Sequence, residues 1–270
     1  MSTEVRSPNV LARKLRAGFN LPGLLFTLSL AVLWQLAVST GVVKLMFLPS
    51  PLDVIGAWWE LFTSGQMVKD VGHTLTVAIL GFIIGSVIGL LVGVWLGISA
   101  KSWKYGMATI DFLRSIPAIC FLSVATLILG LSSQMEFTVT AYAALWLVLI
   151  NTVEGVRRVE LLYLDAAKTF HLSRVRTVFT VMLPSAAGSI IVGLRLGLAL
   201  ALTLAVASEM IGNPEGMGYQ LVMQQQALQP ASMYAYIITI GVLGILLNRV
   251  FIVVIRLFNP GIIAALREDS

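Results

Sequence analysis

Arg195 and Glu209 are two ionisable residues fourteen positions apart in an otherwise apolar run. At about 1.5 Å of rise and about 100° of turn per helical residue, they stand about 21 Å apart along one axis and within about 40° of one face. They cannot pair within one helix, but they can mark two depths of one pathway. Arg195, in the middle of the run, has the chemistry to attract an anionic solute. The competing reading is a structural ion pair with Asp111 or Glu154. Glu209, near the end of the run, suits a gate or a hydrogen-bonding role better than a proton carrier. Other candidate chemistry is sparse. Cys120 is the sole cysteine and sits in an apolar segment, so it has no intrachain disulfide partner. His73 and His171 fall on opposite sides of the expected membrane, which excludes a metal pair, and no metal site is expected.

The elements that carry these residues are set by the solvent. A chain of 270 residues with 58% hydrophobic and 11% charged residues is a polytopic membrane protein. A mean hydropathy of +0.92 agrees. A helical span needs about 20 apolar residues. Six segments meet that length: 21–38, 73–98, 108–131, 136–152, 186–211 and 234–256. They are too long and too continuously apolar for barrel strands, so the expected class is all-α with six transmembrane helices.

Basic residues orient the spans. Arg6, Arg13, Lys14, Arg16, Lys101, Lys104, Arg157, Arg158, Lys168, Arg174, Arg176, Arg256 and Arg267 fall on one side, against Lys44 and Lys69 on the other. The N- and C-termini are therefore expected in the cytoplasm. The net charge of +5 reads as membrane orientation, with no nucleic acid as partner. No short apolar core with a small-residue cleavage site precedes the first span, which is read as uncleaved behind a basic tail.

Two local patterns refine this layout. Leu48-Pro49-Ser50-Pro51 puts a capping Ser and an N1 Pro ahead of a short outer helix. Its Val54, Trp58, Leu61 and Phe62 share a stripe, the pattern of a helix lying in the interface or serving an external partner. In the second span Gly81, Gly85, Gly89, Gly93 and Gly97 recur every four residues. Bare backbone down one face lets another helix approach closely, which is how helices associate in lipid. Packing within the bundle is expected ahead of a dimer seam.

The segment 154–184 is a charged interruption between two spans. Leu161–Phe170 has helical spacing, His171 stands where the chain must reverse, and Ser173 caps a second helix that Pro184 brings to the fifth span. Ala166 and Ala167 leave a flat surface for a partner's groove.

Asp165-Ala166-Ala167, the turn at 171 and Leu183-Pro184 resemble the EAA motif of permease subunits of ATP-binding cassette importers. Leu48-Pro49-Ser50-Pro51, Asn151-Thr152 with Gly155-Val156, Gly193-Leu194-Arg195-Leu196, and Ser208 to Gly212 followed by Gly216-Met217-Gly218-Tyr219 resemble the sulfonate, nitrate and taurine branch. The resemblance covers about residues 48–255. Asp165 stands in place of the usual Glu, and His171 in place of the usual Gly.

It implies a type I importer permease fold, with a cytoplasmic tail at 1–20, a first span and loop start at 21–47, an outer-loop helix at 48–67, a transmembrane domain at 68–256 and a C-terminal tail at 257–270. It also implies that Asp165, Ala166, Ala167, Lys168, Thr169, His171, Leu183 and Pro184 couple to an ATPase, and that Arg195, Glu209 and Asn151 line a translocation path. The implied assembly is a homodimer of permeases in the bacterial inner membrane. Two cytoplasmic subunits would bind ATP-Mg, and an external or periplasmic binding protein would deliver a small anion. The chain has no G-x-x-x-x-G-K-[ST] loop, so no cofactor and no hydrolytic activity of its own are expected. A proton-coupled secondary transporter is the alternative. It predicts midplane carboxylates and inverted repeats, and the sequence shows neither. An intramembrane enzyme would need a nucleophile or a His and carboxylate cluster within the spans.

Overall fold

The computed structural model describes residues 21–41, 47–211 and 213–258, and these form helices and connections without strands. The basic N-terminal tail, Lys44, Gly212 and the tail beyond residue 258 lie outside the described residues. In chain order the helices are α1 Leu21–Ser39, α2 Pro51–Thr63, α3 Gln66–Ile98, α4 Ala100–Arg114, α5 Ala118–Leu129, α6 Ser133–Arg157, α7 Leu161–Thr169 and α8 Arg174–Thr177. A π-helical turn at Val178–Met182 leads into α9 Leu183–Glu209, followed by α10 Gly216–Gln226 and α11 Pro230–Phe258.

Among the described residues, four helical stretches are long and apolar enough to cross a membrane: Gln66–Ile98, Ser133–Arg157, Arg174–Glu209 and Pro230–Leu257. The expected span at 108–131 is instead two helices, α4 and α5, meeting at 82°. Pro117 explains the break. It has no N–H to continue the ladder, and it pushes the preceding residue out of helical geometry. Arg114 Nε donates to Asp111 at 2.8 Å beside the bend. The Tyr142 hydroxyl donates to the Leu113 carbonyl at 3.0 Å, which also accepts the Ile116 N–H at 3.2 Å. The bent pair is a fifth crossing if it counts as one span. The first expected span corresponds to α1, which is apolar over the shorter Leu25–Ser39.

α3, α6 and α9 form the core. A β-carbon at Gly81 would meet Thr140, at Gly85 the Ala141 carbonyl, at Gly89 the Leu145 carbonyl, at Gly93 Thr152 and at Gly97 Val156. The partner number climbs with the glycine number, so α3 and α6 run parallel with backbones in direct contact. α9 runs antiparallel to α6, with Gly193 against Asn151 and Gly197 against Val148. Small residues at each seam allow this approach where lipid offers no hydrophobic drive between helices.

α2 carries a complete capping box, with the Ser50 side chain accepting from Asp53 N and Asp53 accepting from Ser50 N. It lies against α11 rather than only in the interface. Val54 is buried, and Trp58 Nε1 donates to Thr239 Oγ1 at 3.1 Å.

Candidate functional site

Polar side chains gather at the end of the bundle where α3 and α6 begin and α9 finishes. Glu209 is fully buried there. Its Oε2 accepts the Gly218 N–H at 2.8 Å and lies 2.9 Å from the Thr74 hydroxyl. Thr74 Oγ1 in turn accepts the Met217 N–H at 3.0 Å. The first turn of α10 has no cap from its own N-cap side chain, that of Glu215. Two of its free N–H groups are thus satisfied by Thr74 on α3 and Glu209 on α9, and a carboxylate also suits the positive end of the helix dipole.

The glycines around this contact are required by it. Gly216 has φ +90, and a β-carbon there would overlap the Glu209 carboxylate, while one at Gly218 would run into the Val206 carbonyl. Around this centre, His73 Nε2 lies 2.9 Å from Glu136 Oε2 and its Nδ1 lies 3.2 Å from Glu215 Oε2. The Tyr236 hydroxyl donates to Asp70 at 2.7 Å, and Gln66 Nε2 donates to the same carboxylate at 2.9 Å. The clasp ties five helices together. No group of three or more metal-ligating side chains fit to hold an ion occurs among the described residues.

Sequence reading found Glu209 but missed Asp70, Thr74, Glu136 and Tyr236, and it treated His73 as isolated. A usable signal was present. Asp70, His73 and Thr74 share a face at i, i+3, i+4 just before a long apolar run, and Glu136 opens the fourth.

The opposite end carries α7. Its turn is a Schellman closure: His171 N–H donates to Lys168 O at 2.9 Å and Leu172 N–H to Ala167 O at 3.0 Å. His171 takes the left-handed position with φ 52. Ser173 Oγ accepts from Arg176 N. Asp165 pairs with Lys168 at 2.8 Å, both exposed, and the Thr169 hydroxyl donates to Asp165 O.

Ala167 is buried whereas Ala166 is exposed. Leu161, Leu162 and Phe170 are 75%, 72% and 77% exposed, which leaves an apolar surface on the projection. Where α8 joins α9, Pro184 cannot donate a helical hydrogen bond. The Leu183 N–H bonds Val178 O, five residues back, and this gives the π turn its geometry.

The left-handed conformation costs a residue with a β-carbon about 1 kcal/mol, and glycine gives back most of that gain through its freer unfolded chain. His171→Gly should therefore leave the melting temperature nearly unchanged. His171→Val, β-branched at a positive φ, should cost about 2 kcal/mol and lower it.

Arg195 and Asn151 face different cavities. Arg195 lines a cavity of about 530 Å³ between α9 and α11, and Asn151 one of about 270 Å³ beside the α4–α5 bend. Glu209 lines neither. Arg195 Nε donates to Asn248 Oδ1 at 2.9 Å. The carboxylates considered for it are committed elsewhere, Asp111 to Arg114 and Glu154 to Arg158. Asn151 Nδ2 donates to the Leu147 carbonyl of its own helix.

Residues 85–264 match the family model described as binding-protein-dependent transport system inner membrane component. The protein assigned as the aliphatic sulfonates transport permease SsuC of Escherichia coli (strain K12) is 32% identical, over 80% of this chain and 82% of its own. The nitrate import permease protein NrtB of Synechocystis sp. (strain ATCC 27184 / PCC 6803 / Kazusa) is 27% identical, over 82% of each chain. In structure, a chain of the inward-facing MetNI methionine ABC transporter superposes with a TM-score of 0.61 at 20% identity, over 70% of this chain and 94% of its own.

Proposed function

The chain belongs to the family of binding-protein-dependent transport system inner membrane components, and we propose from this that it forms the translocation path of an ATP-driven importer for a small anion. The observation that carries the reading is α7. It projects from the bundle between two spans, closes rigidly at His171 and presents Leu161, Leu162 and Phe170 uncovered. An uncovered apolar surface of that kind marks a contact with a partner protein or the membrane, and in this reading the partner is the ATPase.

In this reading two copies of the chain form the pore and two separate ATPase subunits grip the α7 projections through Asp165, Ala166 and their neighbours. An external binding protein delivers the solute. Both termini and α7 lie in the cytoplasm of an inner-membrane protein with six spans, the bent α4–α5 pair and α1 among them. The basic residues Lys101, Arg157, Arg158, Lys168, Arg174 and Arg176 at the α7 end support that orientation. Hydrolysis would belong to the partner, and this chain would contribute differential contact with it in two states. Arg195 and Asn151 are candidates for the path. Glu209 we assign to anchoring α10, since its carboxylate is occupied by backbone and Thr74 contacts.

Substitution on α7 tests this. Ala166→Asp puts a charge on an exposed face, so the purified chain should melt as the wild type does. Uptake of solute into vesicles holding ATPase and binding protein should fall at least about tenfold, the equivalent of losing about 1.4 kcal/mol of coupling. Ala167→Asp is less clean, because that side chain is buried. Solute uptake by the chain alone, with no ATPase present, would sink the importer reading.

A further inference from the structure

His73 stands on α3 with a carboxylate oxygen on each side of its ring. Nε2 lies 2.9 Å from Glu136 Oε2 on α6, and Nδ1 lies 3.2 Å from Glu215 Oε2 at the start of α10. A neutral imidazole carries one N–H and one lone pair, so it attracts only one of these oxygens. The other would meet it lone pair to lone pair. The imidazolium presents an N–H to both, and the arrangement suits that form.

The neighbouring helices add negative charge around the ring. Glu136 is fully buried and its Oε1 has no partner among the described residues, so the ring is what answers its charge. Asp70 on α3 and Glu209 on α9 lie within electrostatic reach as well. Tyr236 on α11 donates to Asp70 without neutralising it, and Lys69, the basic group beside Asp70, is exposed.

The two ties differ in what their loss would cost. The Glu136 side chain is 0% exposed and that of Glu215 45%. Leaving a buried carboxylate unpaired costs far more than handing an exposed one to water. A ring with one N–H therefore keeps Glu136 and lets Glu215 go. Glu215 is the N-cap residue of α10 but gives that helix no side-chain bond, and no other hydrogen bond or ion pair holds its carboxylate among the described residues.

We infer that His73 is a proton-binding latch: protonated, it ties the start of α10 to α6 across α3, and deprotonated, it keeps Glu136 and releases Glu215. Histidine is the side chain whose ordinary charge change falls near neutral pH. The latch answers the pH on its own side of the membrane, and no proton has to cross. Calling that side the outside rests on the importer reading, whereas the latch itself does not.

The chain has two histidines, so His171→Gln leaves His73 as the sole imidazole. Nitrogen-15 NMR of the histidine-labelled full-length chain in neutral detergent should show both ring nitrogens protonated at about pH 6 and only Nε2 protonated at about pH 9. Pro214 is exposed beside Glu215. A nitroxide on Pro214→Cys, with Cys120→Ala to remove the native thiol, should move at least about twofold faster at the higher pH. Glu215→Gln removes the charge at a half-exposed position, so the chain should fold and hold the label in its faster state at both pH values. His73→Gln should do the same.

A ring still doubly protonated at the higher pH would make the contact a fixed ion pair, and one neutral at the lower pH would make it a single hydrogen bond. Either overturns the inference. So does label motion that changes with pH equally in the wild-type and Glu215→Gln chains. Uptake in vesicles is scored separately. If ATP-driven uptake fails while the latch titrates as described, the importer reading falls and the latch stands.

Discussion

Gly85→Leu should leave almost no folded protein in the membrane. A β-carbon at this position would overlap the Ala141 carbonyl oxygen and come within 3.1 Å of the Ala141 α-carbon, so the obstacle is backbone and no rotamer change relieves it. Overpacking a core that can adjust costs about 1–3 kcal/mol. Here α3 and α6 would have to separate along their whole shared length, and alanine alone should cost about 2 kcal/mol. Gly72 supplies the control on the same helix, because a β-carbon there would meet nothing within 4 Å. Gly72→Ala should be neutral or mildly stabilising, by up to about 1 kcal/mol through helix propensity. Fluorescence-detected gel filtration of the solubilised chain reads both. A monodisperse Gly85→Leu peak of wild-type height would refute the seam.

The second large effect is expected at Glu209. Glu209→Ala removes the acceptor of the Gly218 N–H, leaves the α10 end without its carboxylate and opens a hole in a fully buried site. The loss should be about 3 kcal/mol. Glu209→Gln should behave differently. Its carbonyl oxygen can occupy the Oε2 position and keep both the Gly218 and Thr74 contacts, while its amide takes the place of Oε1, which has no partner among the described residues. Melting temperature and vesicle uptake together decide between roles. An anchoring residue gives a Gln variant that still transports and an Ala variant that does not. A proton carrier loses transport equally in both.

These two residues also show how far the sequence could be read. The glycine repeat was legible because spacing of four on a helix needs no tertiary knowledge, and the projection at 154–184 was legible from its caps and turn residue. The bend at Pro117 was missed because hydropathy continues across it, and a window that sums apolar residues does not register the lost N–H. The clasp was missed for another reason. Asp70, His73, Glu136, Glu209 and Tyr236 are spread over four helices, and only the parallel course of α3 and α6 brings them to one end. That course in turn depends on the connection through α4 and α5. Glu209 attracted notice alone, as a charge in an apolar run, and without its partners it resembled a feature of a path more than a cap.

The continuous seam between α3 and α6 has a mechanical consequence. Five glycines pressed on backbone or on β-branched side chains over four turns resist sliding, because a shift by one residue would set β-carbons against carbonyls. The two helices should therefore travel as one beam, and the clasp fastens α9 to that beam at its far end. If the importer reading holds, a push received at α7 would meet a stiff body and would have to be absorbed before it. The compliant joint would then be the π turn at Val178–Met182, where the hydrogen-bond register is already displaced around Pro184. The stroke would tilt the beam as a whole, and little strain would be stored inside it.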